Sequence, residues 1–220
     1  MDQTGSLGPN SAVILAGGCS SRLGQDKAFL EVNGQLLIER VIERLAQLVD
    51  EVIIVADDVD RYANLEALVI SDVYPGKAAL GGIYSGLRAA SGRHSLVVAC
   101  DLPFLNVSLL RYMQGLAARY DVVIPRMGKL TEALHAVYSR GCLPFIEQQL
   151  RAGDLRIIRF FPHVRVRYVD QDEMEVFDPE HLSFFNINSQ ADLDVAKDIW
   201  SQEELGHSMK AGEDNGHSLP

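Results

Sequence analysis

The chain has 220 residues, a length that suits one domain, and 47% of them are hydrophobic, enough for a sizeable core. Its formal net charge of −10 argues against a nucleic-acid coat and against anionic membrane surfaces, although an anionic ligand still answers to the local charge of a loop. No window approaches the ~20 uninterrupted apolar residues of a membrane span, and Met1 to Asn10 has neither the basic nor the apolar region of a secretory signal.

Residues 1–10 read as a flexible polar start, and Ala12 to Ala16 as a first buried strand. From Leu36 to Val49, Leu37, Val41, Leu45 and Leu48 recur at helical spacing with charged residues between them. Val52 to Ala56 is a second apolar strand, and Ala67 to Ser71 a short third. Leu80 to Ala90 reads as a glycine-tolerant helix, Leu96 to Cys100 as a strand, Val107 to Tyr120 as a helix and Val122 to Pro125 as another strand. Strands separated by helical spans imply parallel pairing through right-handed crossovers, so the fold class is α/β: one doubly wound, mostly parallel sheet with helices on both faces.

Further on, Leu134 to Tyr138 reads as a strand and Gly141 to Ala152 as a helix. In Val164 to Val169 the alternation puts Val164, Val166 and Tyr168 on one face and Arg165 and Arg167 on the other. Phe184 to Asn188 is a further predicted short strand, and Gln190 to Trp200 an amphipathic helix capped by Ser189. Residues 201–220 lack periodicity and read as a disordered tail, which bounds the domain at 11–200. Within it the reading separates a first half, 11–125, from a second, 126–200. Cys19, Cys100 and Cys142 are odd in number, widely spaced and without a CxxC, which fits a reducing cytoplasm and offers no metal cluster.

The chemistry concentrates in Ser11-Ala-Val-Ile-Leu-Ala-Gly-Gly-Cys-Ser-Ser-Arg-Leu-Gly-Gln-Asp-Lys27. Here a buried strand runs into three glycines, an arginine and a lysine. Gly17, Gly18 and Gly24 remove side chains where phosphate must approach the main chain, and Arg22 and Lys27 supply the positive charge that a polyphosphate demands. The order excludes a P-loop, because Lys27 comes three residues after Gly24 and precedes an alanine. It also excludes Gly-x-Gly-x-x-Gly, because Gly17 and Gly18 are adjacent.

A second constellation is Val97-Val-Ala-Cys-Asp101-Leu-Pro-Phe-Leu. A carboxylate just past a buried strand lies at the C-terminal sheet edge, where ligands bind in open α/β sheets. Asp101 is thus placed to hold a divalent cation such as Mg²⁺, which takes few protein carboxylates and draws its other ligands from phosphate and water. Asn106 or Leu105 stands closer to the start of the following helix as its cap. Asp72 ends another strand beside Pro75-Gly76, so a ligand contact and a turn-forming role both stand open. Gly81 and Gly82 are open in the same way, between close ligand approach and helix packing. Asn186 and Asn188 share one face by their i, i+2 spacing and can together orient a phosphate or a metal-bound water. Basic residues gather in the second half, among them Arg126, Lys129, Arg156, Arg159, Arg165 and Arg167. His135, in an apolar run, reads as a core residue.

The glycine-rich run resembles the nucleotidyltransferase pattern Leu-Ala-Gly-Gly-x-x-x-Arg-Met/Leu-Gly-x-Asp-Lys, and its Asp-Lys ending is most similar to the molybdenum cofactor guanylyltransferases. Cys100 to Phe104 matches that family's Cys-Asp-x-Pro-Phe, and Phe185-Asn-Ile-Asn-Ser-Gln-Ala-Asp-Leu193 resembles its Phe-x-Asn-x-Asn-Thr-Pro-Glu-Asp-Leu. Two stretches depart from the pattern by losing a proline: Gly76 to Ile83, where the family reads Gly-Pro-Leu-Gly-Gly-Ile, and Glu132-Ala-Leu-His-Ala-Val-Tyr138. The resemblance, from about Ala12 to Trp200, implies a Rossmann-like nucleotidyltransferase fold, GTP as donor, and molybdopterin carrying molybdenum as acceptor.

It further implies that 11–125 is the nucleotide-binding half and 126–200 the acceptor half, with Asp101 as the magnesium ligand, Asp72, Gly81 and Gly82 near the nucleotide, and Arg156 on the acceptor side. On that reading Leu15, Ala16, Gly17 and Gly18 hold the triphosphate in register, Lys27 neutralises the reacting α-phosphate and Arg22 the departing pyrophosphate. Transient contact with a molybdoenzyme or a cofactor-delivery protein is expected. The alternatives are a nucleotidyltransferase using CTP or a sugar phosphate, and a GTP-binding accessory protein that does not catalyse.

Overall fold

A computed structural model describes residues 11–16 and 26–213. In chain order its elements are β1 (Ser11–Leu15), β2 (Glu31–Val32), β3 (Gln35–Leu36), α1 (Leu37–Ala46), β4 (Glu51–Ala56), β5 (Leu68–Ser71), α2 (Ala78–Ala89) and β6 (His94–Ala99). There follow α3 (Val107–Leu116), β7 (Val122–Met127), β8 (Leu130–Thr131), β9 (His135–Ser139), α4 (Leu143–Arg151), β10 (Val166–Asp170), α5 (Gln171–Glu175) and α6 (Gln190–Glu213).

The main sheet has the order β10-β7-β9-β6-β1-β4-β5, with β8 paired to β7. Strand β1 lies in its middle, parallel to β4 on one side (Ile14 beside Ile54) and to β6 on the other (Ile14 beside Val98). All five residues of β1 are buried, as expected of a strand covered on both faces. One face carries Ile14, Ile54, Val98 and Val137 against α1 and α3, and the other carries Val13, Val97, Ile124 and Tyr138 against α2 and α4. This is the doubly wound α/β arrangement that the alternation of strands and helices predicts.

The structure adds to the sequence expectation or departs from it in four places. Strand β9 is antiparallel to both β6 and β7, because only the short β8 turn separates it from β7 and a parallel return needs a crossover of a dozen residues or more. Phe184 to Asn188 is not a strand. A 3-10 turn covers Leu182–Phe184, and the rest is irregular, held by a bond from the Ile187 N–H to the carbonyl of Asp101 at 3.2 Å. The cause lies just upstream, where the Asp178 carboxylate accepts the N–H groups of Leu182 and Ser183 and ties the backbone into a turn before any ladder can form.

The β2–β3 hairpin, turned by Asn33 and Gly34 at φ 51° and 81°, adds an element that no apolar run announces. Finally, α6 passes Trp200 and continues to Glu213, so residues 201–213 are helical and the disordered tail expected from residue 201 does not begin there.

A small third cluster closes the C-terminal edge of the sheet: Leu30, Val32, Leu37, Phe104, Ile187, Leu193, Ala196 and Trp200. Arg40 crosses it. Its guanidinium lies 3.8 Å over the Trp200 ring and donates to the Pro103 carbonyl at 3.1 Å, and it pairs with Glu203. A buried guanidinium is tolerated only when paired and hydrogen-bonded, and this one locks α6 to α1 and to the turn after Asp101.

Candidate active site

The site is built where three distant segments meet at the C-terminal edge. Asp26 ends the glycine-rich stretch in extended conformation (φ −69°, ψ 123°), and its carboxylate Oδ1 accepts the N–H of Ala28 at 3.1 Å. That cap starts a 3-10 turn, Lys27–Phe29, whose first residue is the lysine. Asp101 follows β6, and the Cys100 N–H beside it bonds to the Leu15 carbonyl at 3.2 Å, so the turn stays level with the end of β1. Asn188 stands at the mouth of α6. There Ser189 and Asp192 exchange bonds as a capping box: the Asp192 N–H donates to Ser189 Oγ at 3.3 Å, and Asp192 Oδ2 accepts the Ser189 N–H at 2.8 Å. Asp192 also accepts the Asn188 N–H at 2.9 Å, and this bond leads the causes that lower its pKa.

Lys27 Nζ donates to Asp101 Oδ2 at 2.7 Å and to Asn188 Oδ1 at 2.6 Å. The Lys27 and Asp101 side chains are each 16% exposed, sheltered enough to strengthen the pair yet open at one side. Three of the sequence-predicted site residues therefore converge within one hydrogen-bond network. Asp101 Oδ1 has no hydrogen-bond partner among the described residues, which leaves one carboxylate oxygen open to a cation. No group of three His, Cys, Asp or Glu gathers there among them either, so a bound cation would take its remaining ligands from phosphate and water.

The other predicted residues fall differently. Leu15 ends β1 and Ala16 follows it, its N–H bonded to the Val55 carbonyl at 3.0 Å. Gly17, Gly18 and Arg22 lie outside the described residues, as does Cys19. Asp72 follows β5, but its Oδ1 is taken by the Tyr74 N–H at 2.8 Å and the Ser85 hydroxyl at 2.7 Å, a turn-forming use.

Packing accounts for the two helical glycines: a Cβ at Gly81 would stand 2.8 Å from Asp72 Oδ2, and one at Gly82 would stand 3.0 Å from Leu15 Cδ2. Arg156 pairs with Asp154 at 2.6 Å on an exposed surface after α4, with no hydrogen bond or ion pair to the Lys27 cluster among the described residues. Asn186 is exposed and donates to the Phe184 carbonyl, while Asn188 alone reaches the lysine. Their alternation survives in the buried Ile187 between them, although no strand carries it.

Two groups escape the sequence reading. Asp192 carried a signal, the Ser-x-x-Asp spacing of a capping box. Tyr62 carried none: it is a lone tyrosine in a polar stretch, yet it is 2% exposed and its hydroxyl lies against both Ala16 and Asp26.

This edge of an α/β sheet, with its lysine–aspartate pair, defines a nucleotidyltransferase, and residues 12–166 match the MobA-like NTP transferase domain. A probable molybdenum cofactor guanylyltransferase from Pelotomaculum thermopropionicum is 41% identical over 196 residues, which is 89% of this chain and 96% of that protein. The molybdenum cofactor guanylyltransferase of Desulfosudis oleivorans is 34% identical over 85% of this chain and 94% of its own. The crystal structure of molybdopterin-guanine dinucleotide biosynthesis protein A from Archaeoglobus fulgidus superposes with a TM-score of 0.77 at 29% identity, covering 87% of this chain and 99% of that one. The chain belongs to the molybdenum cofactor guanylyltransferase family.

Proposed function

We propose that this enzyme transfers GMP from GTP to the terminal phosphate of molybdopterin carrying molybdenum. An acceptor phosphate oxygen forms the new bond to the α-phosphorus, the bond from that phosphorus to the β-phosphate oxygen breaks, and pyrophosphate leaves. No covalent nucleophile on the protein is needed, so positioning and charge neutralisation carry the rate. The observation that carries this reading is the Lys27–Asp101 pair, a cation and an anion held 2.7 Å apart at the sheet edge where ligands of this fold class bind.

Lys27 turns its ammonium from Asp101 to the reacting α-phosphate, and Asn188 keeps that ammonium from leaving the site. Asp101 is the residue that would hold Mg²⁺, which when bound neutralises phosphate charge and orients the oxygens in line. Arg22 serves the departing pyrophosphate, and Leu15, Ala16, Gly17 and Gly18 line the triphosphate. A cytoplasmic setting and transient contact with a molybdoenzyme or delivery protein complete the reading. None of the described helices is long and apolar enough to cross a membrane.

The test is pyrophosphate release with molybdopterin-loaded acceptor and magnesium, GTP against CTP. Release with GTP, at least tenfold faster than with CTP, is the expected result. Tight GTP binding without magnesium-dependent release would overturn catalysis and favour an accessory role.

A further inference from the structure

We infer that Tyr62 is a positioning residue for Lys27, joining the end of β1 to the lysine's turn through a single phenolic hydroxyl. This inference rests on the role given to Lys27 above. Tyr62 closes a 3-10 turn, Asp60–Tyr62, after β4, and its N–H bonds to the Val59 carbonyl at 3.1 Å. Its ring lies in the core while its Oη reaches two acceptors: Asp26 Oδ2 at 2.9 Å and the carbonyl of Ala16 at 3.1 Å. One proton is thus shared between the last residue of the β1 edge and the residue immediately before Lys27.

Asp26 is doubly committed. One carboxylate oxygen caps the turn that contains Lys27; the other takes the Tyr62 hydroxyl and stands 3.3 Å from the Arg61 guanidinium. Arg61 in turn lies 4.4 Å over the ring of Phe29, the last residue of that turn, and Phe29 packs on Tyr62 with ring centroids 4.8 Å apart. The turn is therefore gripped at both ends by neighbouring residues of one short segment.

Burial, with the Asp26 carboxylate next, raises the Tyr62 pKa, so the phenol remains a donor throughout the working pH range. A lysine needs such an anchor: four rotatable bonds separate its ammonium from the backbone, and only a fixed Cα lets that ammonium address both Asp101 and a phosphate. Displacements of about 1 Å in catalytic groups cost up to ~100-fold in rate.

The experiment is a double-mutant cycle of Tyr62→Phe with Lys27→Met, read by single-turnover pyrophosphate release and by thermal unfolding. Tyr62→Phe keeps the ring packing, so the expected result is a kcat reduced roughly tenfold with KM for GTP within about twofold. In the Lys27→Met background the same change should alter turnover less than about twofold, because the residue through which Tyr62 acts is gone. Equal losses in both backgrounds would mark Tyr62 as merely structural and overturn the inference, as would an unchanged kcat in Tyr62→Phe. If Tyr62→Phe does not fold, Asp26→Ala carries the same cycle.

A readout in the substrate-free protein separates this inference from the functional reading. The Lys27 ¹³Cε–¹Hε NMR signal, assigned by its absence in Lys27→Met, should move toward the free-lysine position in Tyr62→Phe. A signal that stays in place overturns the positioning role whether or not GTP is the donor.

Discussion

Substituting Gly86 by alanine tests whether α2 owes its glycines to packing against the sheet. A Cβ built at Gly86 stands 2.3 Å from Val13 Cγ1, 2.8 Å from Cγ2 and 3.1 Å from Cβ. Carbon atoms rest at about 3.5–4.0 Å, so α2 would have to retreat from β1 by about 1 Å, since a valine branched at Cβ has no rotamer that clears the space. Alanine gains about 1 kcal/mol of helix propensity over glycine. Overpacking a core costs about 1–3 kcal/mol, and the retreat also loosens Leu80, Ile83 and Leu87, which are fully buried on the same face. The larger cost prevails, leaving a net destabilisation of about 2 kcal/mol, which for a domain of this size lowers Tm by roughly 4–8 °C. Urea unfolding and thermal scans measure it, and Val13→Ala supplies the control. Removing the valine's Cγ atoms makes room, so the double variant should be about 1 kcal/mol or more stabler than the two single effects predict. A Gly86→Ala protein as stable as the parent would refute the packing argument.

Lys27→Ala should lower turnover by at least ~100-fold, the order of losing one good transition-state contact, while leaving Tm nearly unchanged; saturating steady-state kinetics and a melt decide it. Ala78 opens α2 at φ +50°, a conformation in which an L-residue is strained by about 1–2 kcal/mol. Ala78→Gly should therefore raise stability by about 0.5–1 kcal/mol after the added entropy of the unfolded glycine, as chemical denaturation would reveal. His135 is buried, both ring nitrogens lack partners among the described residues, and burial pushes its pKa down to about 4. The unfolded chain, titrating near 6.5, binds the proton first. The neutral ring's contribution is thus complete above pH ~6.5 and is lost as pH falls through 4, about 3 kcal/mol in all. Denaturation from pH 7 to 4 should show that slope in the parent and its loss in His135→Leu.

The strands that flank the site were legible because β1, β4 and β6 each contain an apolar run of four or more residues, and burial on both faces demands such runs. Asp101 was legible for a related reason: a charged residue directly after such a run has one place to go, the sheet edge, whereas Lys27 was legible from the glycine-rich stretch that it ends. Direction was not legible. His135 to Ser139 is as apolar in an antiparallel strand as in a parallel one, and only the shortness of the preceding turn gives it away.

Phe184 to Asn188 misleads because alternation describes which side chains are buried without supplying a partner strand. Glycine is ambiguous in the same sense: Gly81 and Gly82 look like bare backbone for a ligand, whereas Asp72 and Leu15 occupy the space their side chains would fill. The Asn33-Gly34 hairpin carried a clear turn signal, but strands of two residues give no periodicity to flank it.

The hydrogen bond between Lys27 and Asn188 spans 161 positions of sequence. During synthesis the first strands and their helices can settle while the ribosome is still translating, because their partners are near at hand. The lysine, however, waits for a residue 161 positions further along before its pocket has a third wall. Truncated products and nascent chains that stop short of Asn188 are therefore expected to fold in part and still be idle.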